Sequence, residues 1–104
     1  MRSITVQELK TLLDAGEVGE GELVDVREEW EFEQGRVPGA RLLPMQSVPG
    51  AVDELRTDRP VYLVCAVGGR SGQTADYLSH FGIDAVNVEG GTADWVRAGY
   101  PVER

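Results

Sequence analysis

Val61-Tyr62-Leu63-Val64-Cys65-Ala66-Val67-Gly68-Gly69-Arg70-Ser71 is the stretch whose reading decides the fold. Its first four residues are β-branched, aromatic and apolar, the composition of a strand. The strand runs into Cys65 and a glycine-containing loop. A helix is then expected over residues 70–81, with Thr74, Ala75, Leu78 and Phe81 on or near one face and Gly82 as its stop.

The same alternation extends in both directions. Downstream, Ala85-Val86-Asn87-Val88 reads as another strand, and Gly90-Gly91 opens a last helix containing Trp95 that ends at Gly99-Tyr100-Pro101. Upstream, Thr5-Val6-Gln7-Glu8 has the spacing of a capping box, followed by Leu9, Leu12 and Leu13 on one helical face and Gly16 as a stop. Leu23-Val24-Asp25-Val26 reads as a buried strand. Glu28 to Gln34 is expected to be a short helix, its carboxylates suited to the positive end of the helix dipole. Ala40 to Leu43 reads as a second short strand, and Pro49 to Leu55 as a short helix with proline near its start. Strands alternating with helices give a parallel sheet covered on both faces, because each crossover must return over the sheet.

At 104 residues the chain suits one compact domain over residues 1–104. A formal net charge of -8 argues against nucleic acid as a partner, since phosphate binding needs a basic face. There is no apolar run long enough to span a bilayer and no signal-peptide pattern, so no membrane association and a cytoplasmic location are expected. The one cysteine can form neither an intramolecular disulfide nor, alone, a thiolate metal site. The sequence holds no metal-ligand cluster, phosphate-binding GK[ST] loop or dinucleotide fingerprint, so neither a cofactor nor a metal is expected.

A lone cysteine ordinarily reads as a small buried hydrophobe. The residues after Cys65 change that reading. The loop lies between a strand's C-terminal end and a helix start, the place where open α/β sheets bind ligands. Gly68 and Gly69 can take backbone conformations that turn several N–H groups inward, forming an anion cradle. A thiol at its base loses its proton more readily, and the thiolate is the nucleophile. Arg70 can add positive charge, and Ser71 can cap the helix or offer its hydroxyl to a bound anion. Cys65 is therefore the candidate catalytic residue, and Ala66, Val67, Gly68, Gly69, Arg70 and Ser71 the candidate substrate-binding set. Four residues separate Cys65 from Arg70. Cysteine phosphatases have one more, which opens the loop for a tetrahedral phosphate; the shorter ring leaves room for a sulfur atom on the cysteine.

Taken together, these segments resemble the rhodanese domain family. The resemblance rests on Leu23-Val24-Asp25-Val26-Arg27-Glu28, on Trp30-Glu31-Phe32 followed by Gly35-Arg36-Val37-Pro38-Gly39-Ala40, on the loop after Val61-Tyr62-Leu63-Val64-Cys65, and on Gly90-Gly91, Trp95 and Ala98-Gly99-Tyr100-Pro101. It implies a three-layer α/β/α fold with a five-stranded parallel sheet. It also implies a sulfurtransferase of the thiosulfate type that works through a Cys65 persulfide. Its partners would be a small-molecule sulfur donor and a thiol or cyanide acceptor, or a protein in either role. One departure is Arg36, which stands where the family usually has histidine; that position is read as structural.

Asp25 and Arg27 are expected to support the loop as an ion pair rather than to do chemistry. His80, the only histidine, is expected at the exposed end of the helix after the loop. Trp30, Phe32 and Trp95 are read as core or rim packing, and Glu28 to Glu33 as a solvated helix face. Three other functions compete. A persulfide carrier serving a partner enzyme shares the chemistry. A phosphatase or arsenate reductase is opposed by the short loop. A catalytically dead binding domain is opposed by the presence of both Cys65 and Arg70.

Overall fold

The computed structural model describes residues 1–55 and 58–104. The chain runs β1 (Arg2–Ile4), α1 (Val6–Asp14), β2 (Leu23–Asp25), α2 (Glu29–Gln34), β3 (Arg41–Leu42), two 3-10 turns (Met45–Ser47 and Pro49–Glu54), β4 (Val61–Val64), α3 (Gly69–Ser79), β5 (Ala85–Val88) and α4 (Gly91–Arg97). Among the described residues the strands form one five-stranded sheet in the order β1-β5-β4-β2-β3, every pairing parallel. No described helix is long and apolar enough to cross a membrane.

Alternation along β4 sorts the core into two halves. Val61, Leu63 and Cys65 face a layer built from Ala75 and Leu78 of α3 together with Val48 and Ala51. Tyr62 and Val64 face the opposite layer, with Val6 and Leu9 of α1 and Trp95 of α4. The result is the expected α/β/α sandwich. Every residue of β2, β4 and β5 is buried, which is why these segments lack a polar face. Thr5 and Glu8 form the anticipated capping box: the Glu8 amide donates to Thr5 Oγ1 at 3.1 Å and the Thr5 amide to Glu8 Oε1 at 3.0 Å.

Several expectations need correction. Arg2–Ile4, to which the sequence reading assigns no element, is an edge strand pairing with β5. Its residues are largely exposed, so it carries no buried-strand pattern of its own. The segment from Pro49 is a 3-10 helix rather than an α-helix. The helix expected over 70–81 ends at Ser79. Phe81 therefore leaves the core, 49% exposed, and packs on Tyr77 with ring centroids 5.1 Å apart. The Arg36 guanidinium donates to the Phe32 carbonyl at 3.1 Å and lies 4.5 Å over the Phe32 ring, while its backbone pairs with Glu103. Those contacts give Arg36 a structural role, tying the end of α2 to the last residues.

The centre of the fold gives a direct test. Leu63 has no exposed surface and sits on the middle strand. Leu63→Ala is expected to lower stability by about 2–5 kcal/mol, through lost transfer energy plus the cavity left behind, read as a fall in the urea unfolding midpoint.

Candidate active site

The loop between β4 and α3 closes around Cys65. The Gly68 N–H donates to Cys65 Sγ at 3.1 Å, and the Ser71 hydroxyl lies 3.3 Å from the same sulfur. Gly68 has a φ of +105°, a conformation that turns its amide back over the cysteine and that side-chain-bearing residues avoid. Gly69 is different. It is the first residue of α3 with ordinary helical geometry, and a Cβ there would meet nothing within 4 Å. Of the two glycines, only Gly68 takes a backbone conformation that side-chain-bearing residues avoid.

What turns the loop inward comes from outside it. The Thr92 N–H and hydroxyl both donate to the Cys65 carbonyl, at 2.9 and 3.0 Å, and the Ala93 N–H donates to the Ala66 carbonyl at 2.9 Å. In a trans peptide unit the C=O and N–H point in opposite directions. With the carbonyls drawn to the start of α4, the N–H groups of Ala66 and Val67 are directed away from it. Gly91 makes the approach feasible: a Cβ there would lie 2.5 Å from the Cys65 carbonyl oxygen and 2.7 Å from that of Ala66.

Cys65 is 1% exposed, at the base of the loop. Burial pushes its thiol up and is the largest single influence. It is outweighed by the Ser71 hydroxyl and the backbone N–H groups of Ser71, Gly68 and Val67, which together hold the thiol below its ordinary value. Ser71 does not cap α3, a place taken by Gly68. Its side chain is fully buried, and its hydroxyl also lies 2.6 Å from Asn87 Oδ1.

Arg70 stands at the loop as expected, but its charge is shared. Its guanidinium binds the Glu31 carboxylate with two bonds of 2.8 and 2.9 Å. Glu31 is thus an exception to the solvated face read for Glu28 to Glu33; its side chain is 15% exposed. The hydrogen bonds from Arg70 hold the Glu31 carboxyl at about 2, against an ordinary 4.5. Arg27 and Asp25 form a buried pair, with the Arg27 guanidinium donating to both carboxylate oxygens at 2.8–3.0 Å and to the Gly35 carbonyl at 2.8 Å. Asp25 lies beside Val64 in the sheet register. The pair therefore braces the strand end that delivers Cys65 and is not a surface contact. His80 is exposed at the end of α3, its ring nitrogen 2.9 Å from the Asp76 carbonyl, away from the site. No group of side chains among the described residues could hold a metal ion.

A family model for the rhodanese-like domain matches residues 5–98. The chain belongs to that family. Among curated relatives, this rhodanese-like chain is 41% identical over 81 residues to a sulfurtransferase of Allochromatium vinosum, covering 77% of this chain and 76% of the relative. It is 39% identical over 82 residues to a thiosulfate sulfurtransferase of Glaesserella parasuis, covering 78% and 76%. Among solved structures, a rhodanese-like domain protein from Staphylococcus aureus superposes with a TM-score of 0.82 at 43% identity, covering 91% of each chain.

Three contributors to the site escaped the sequence reading. Glu31 is one of four glutamates in a row of acidic residues, and nothing local marks it as the one that meets Arg70. Thr92 carries no signal short of the tertiary contact. Asn87 had a usable one, as a lone polar residue within an otherwise apolar buried strand.

Two outcomes follow from this geometry. Gly91→Ala is expected to push α4 from the loop and destabilise the fold by roughly 1–3 kcal/mol. It should also return the Cys65 thiol toward its ordinary value, read as slower alkylation at neutral pH. Glu31 has a depressed carboxyl, so its pairing stabilises the fold fully above 4.5 and is lost as pH falls toward about 2. Glu31→Gln should remove that segment of the stability–pH curve. The change should be on the order of 1 kcal/mol, because solvent screens a pair whose arginine is about one-third exposed.

Proposed function

We propose that this protein is a sulfurtransferase that carries sulfane sulfur on Cys65. The observation that carries the reading is the cysteine sulfur itself, buried at a strand end and met by the Gly68 N–H at 3.1 Å and the Ser71 hydroxyl at 3.3 Å. Family membership and relatives named sulfurtransferases support it. Cys65 acts as nucleophile; the amides of Val67, Gly68 and Ser71 and the Ser71 hydroxyl stabilise the sulfur anion, and Arg70 adds positive charge within electrostatic reach of it. Asp25 and Arg27 support the strand end.

With thiosulfate as donor, the Cys65 thiolate attacks the outer sulfur. A new S–S bond forms, the bond to the inner sulfur breaks, and sulfite leaves with the electron pair. The enzyme is left as Cys65-S-S⁻. A nucleophile such as cyanide or a thiolate then attacks the outer sulfur, and the Cys65 thiolate is released. The two-step covalent path keeps negative charge within reach of the same preorganised donors throughout. A second cysteine is missing from the sequence, so the acceptor must be another molecule. A cytoplasmic setting, where thiols stay reduced, suits this chemistry.

A second reading, a carrier loaded by a protein persulfide, is favoured by electrostatics and by the loop surroundings. The chain carries a formal charge of -8, and its loop cation is already paired with Glu31, so a dianion gains little steering. Val67 and Trp30 are 69% and 63% exposed apolar side chains on the loop and on α2, which supplies Glu31. Incubation with thiosulfate is expected to add the mass of one sulfur atom to the intact protein, and Cys65→Ala is expected to abolish the addition. If the wild type takes up sulfur from neither thiosulfate nor a persulfide donor, the sulfur-transfer reading fails. Fast loading from a protein persulfide with poor thiosulfate turnover would select the carrier.

A further inference from the structure

We propose that Asn87 is a positioning residue: its side-chain amide sets the direction in which the Ser71 hydroxyl donates, toward Asn87 when Cys65 is a thiol and toward the sulfur when it is a thiolate. The inference rests on Cys65 being the nucleophile.

The geometry is a buried relay of three groups from three elements. Asn87 is 8% exposed on β5, Ser71 fully buried on α3, and Cys65 follows β4. The Ser71 oxygen stands 2.6 Å from Asn87 Oδ1 and 3.3 Å from Cys65 Sγ. A hydroxyl has one proton and cannot satisfy both acceptors at once. The shorter contact holds that proton on the asparagine side, which suits a neutral thiol. A thiolate is the stronger acceptor and draws the proton to itself. The Ser71 oxygen then faces Asn87 with lone pairs only. A carbonyl oxygen at 2.6 Å would leave two acceptors opposed in a dry site, which is costly. An amide resolves this by turning over, since its NH₂ end then donates to the Ser71 oxygen. Asparagine is thus suited to both protonation states of the cysteine, whereas a carboxylate can only accept.

The surroundings leave this relay as the adjustable element. Arg70 on α3 is within electrostatic reach of Cys65, and it also feels Glu31 of α2 and Asp25 of β2. Arg27 neutralises Asp25 directly. From β5 and the start of α4, the groups whose hydrogen bonds reach the loop or Ser71 are the uncharged Asn87, Thr92 and Ala93, with Gly91 packed on the loop carbonyls. The charged residue on this side is Glu89, whose backbone passes Gly68 and which is exposed. A Cβ on Gly72 would come only to 3.5 Å from Asn87 Nδ2, so the amide has ordinary van der Waals room at its other end.

The test is the pH dependence of Cys65 alkylation by iodoacetamide in the full chain. Asn87→Asp, accepting only, should pin the hydroxyl proton and raise the midpoint by about one pH unit, a roughly tenfold loss of thiolate at a pH below it. Asn87→Leu leaves sulfur as the sole acceptor and should place the midpoint at or below that of the wild type. With Ser71→Ala as background, the effect of Asn87→Asp should largely vanish. An unchanged midpoint in Asn87→Asp, an equal shift with and without Ser71, or a raised midpoint in Asn87→Leu each overturns the proposal. If Asn87→Asp does not fold, the Asn87→Leu midpoint decides. Thiol acidity is read without any sulfur donor. A protein that takes up no sulfur yet shows these shifts would therefore refute the sulfur-transfer reading and leave the relay standing.

Discussion

The site depends on the grip of α4 on two carbonyl groups of the loop. Thr92 and Ala93 bind the carbonyls of Cys65 and Ala66, and planarity of the peptide unit then dictates where the following N–H groups point. Without that grip the loop would have no reason to present amides rather than carbonyls to the sulfur, and a ring of carbonyls would raise the thiol instead of lowering it. Gly91 belongs to the same interaction, because contact at this distance leaves no space for a side chain. The last helix is in this sense part of the active loop, although it lies more than twenty residues further along the chain.

Around this grip the charges are arranged in pairs. Asp25 and Arg27 are buried together at the end of β2. Glu31 holds Arg70 at the rim. Pairing fixes each guanidinium in one orientation, since its planar fork matches a carboxylate. It also dilutes the positive charge available to an incoming anion. Stabilisation of the cysteine sulfur therefore falls to short-range donors, the amides of Val67, Gly68 and Ser71 and the Ser71 hydroxyl. Short-range donors favour an atom held at one position, which suits the proposed role of a sulfur carried on the protein between two transfers. They offer little long-range attraction to an anion, and the formal charge of -8 adds none.

Much of this was legible in the residues. The strand Val61–Val64 delivering Cys65 to a glycine turn, the helix after it, the capping box at Thr5 and the packing role of Trp95 all follow from local patterns, because each depends on neighbours within a few positions. The strand Arg2–Ile4 was not legible as a strand: an exposed edge is stabilised by backbone pairing, which leaves no signature in side-chain polarity. The end of α3 was overrun for a related reason, since Phe81 continues the apolar spacing yet packs on Tyr77 at the surface.

The sequence by itself determined the fold class and marked the candidate nucleophile and the loop around it. Those follow from residue type and from spacing along one segment. Only the tertiary structure decided which carboxylate meets Arg70, which helix orients the loop, and that Asn87 rather than a charged group backs Ser71. Each of those is a contact between elements distant in the chain, and one glutamate among four, or one threonine after two glycines, differs from its neighbours only in where the folded chain puts it.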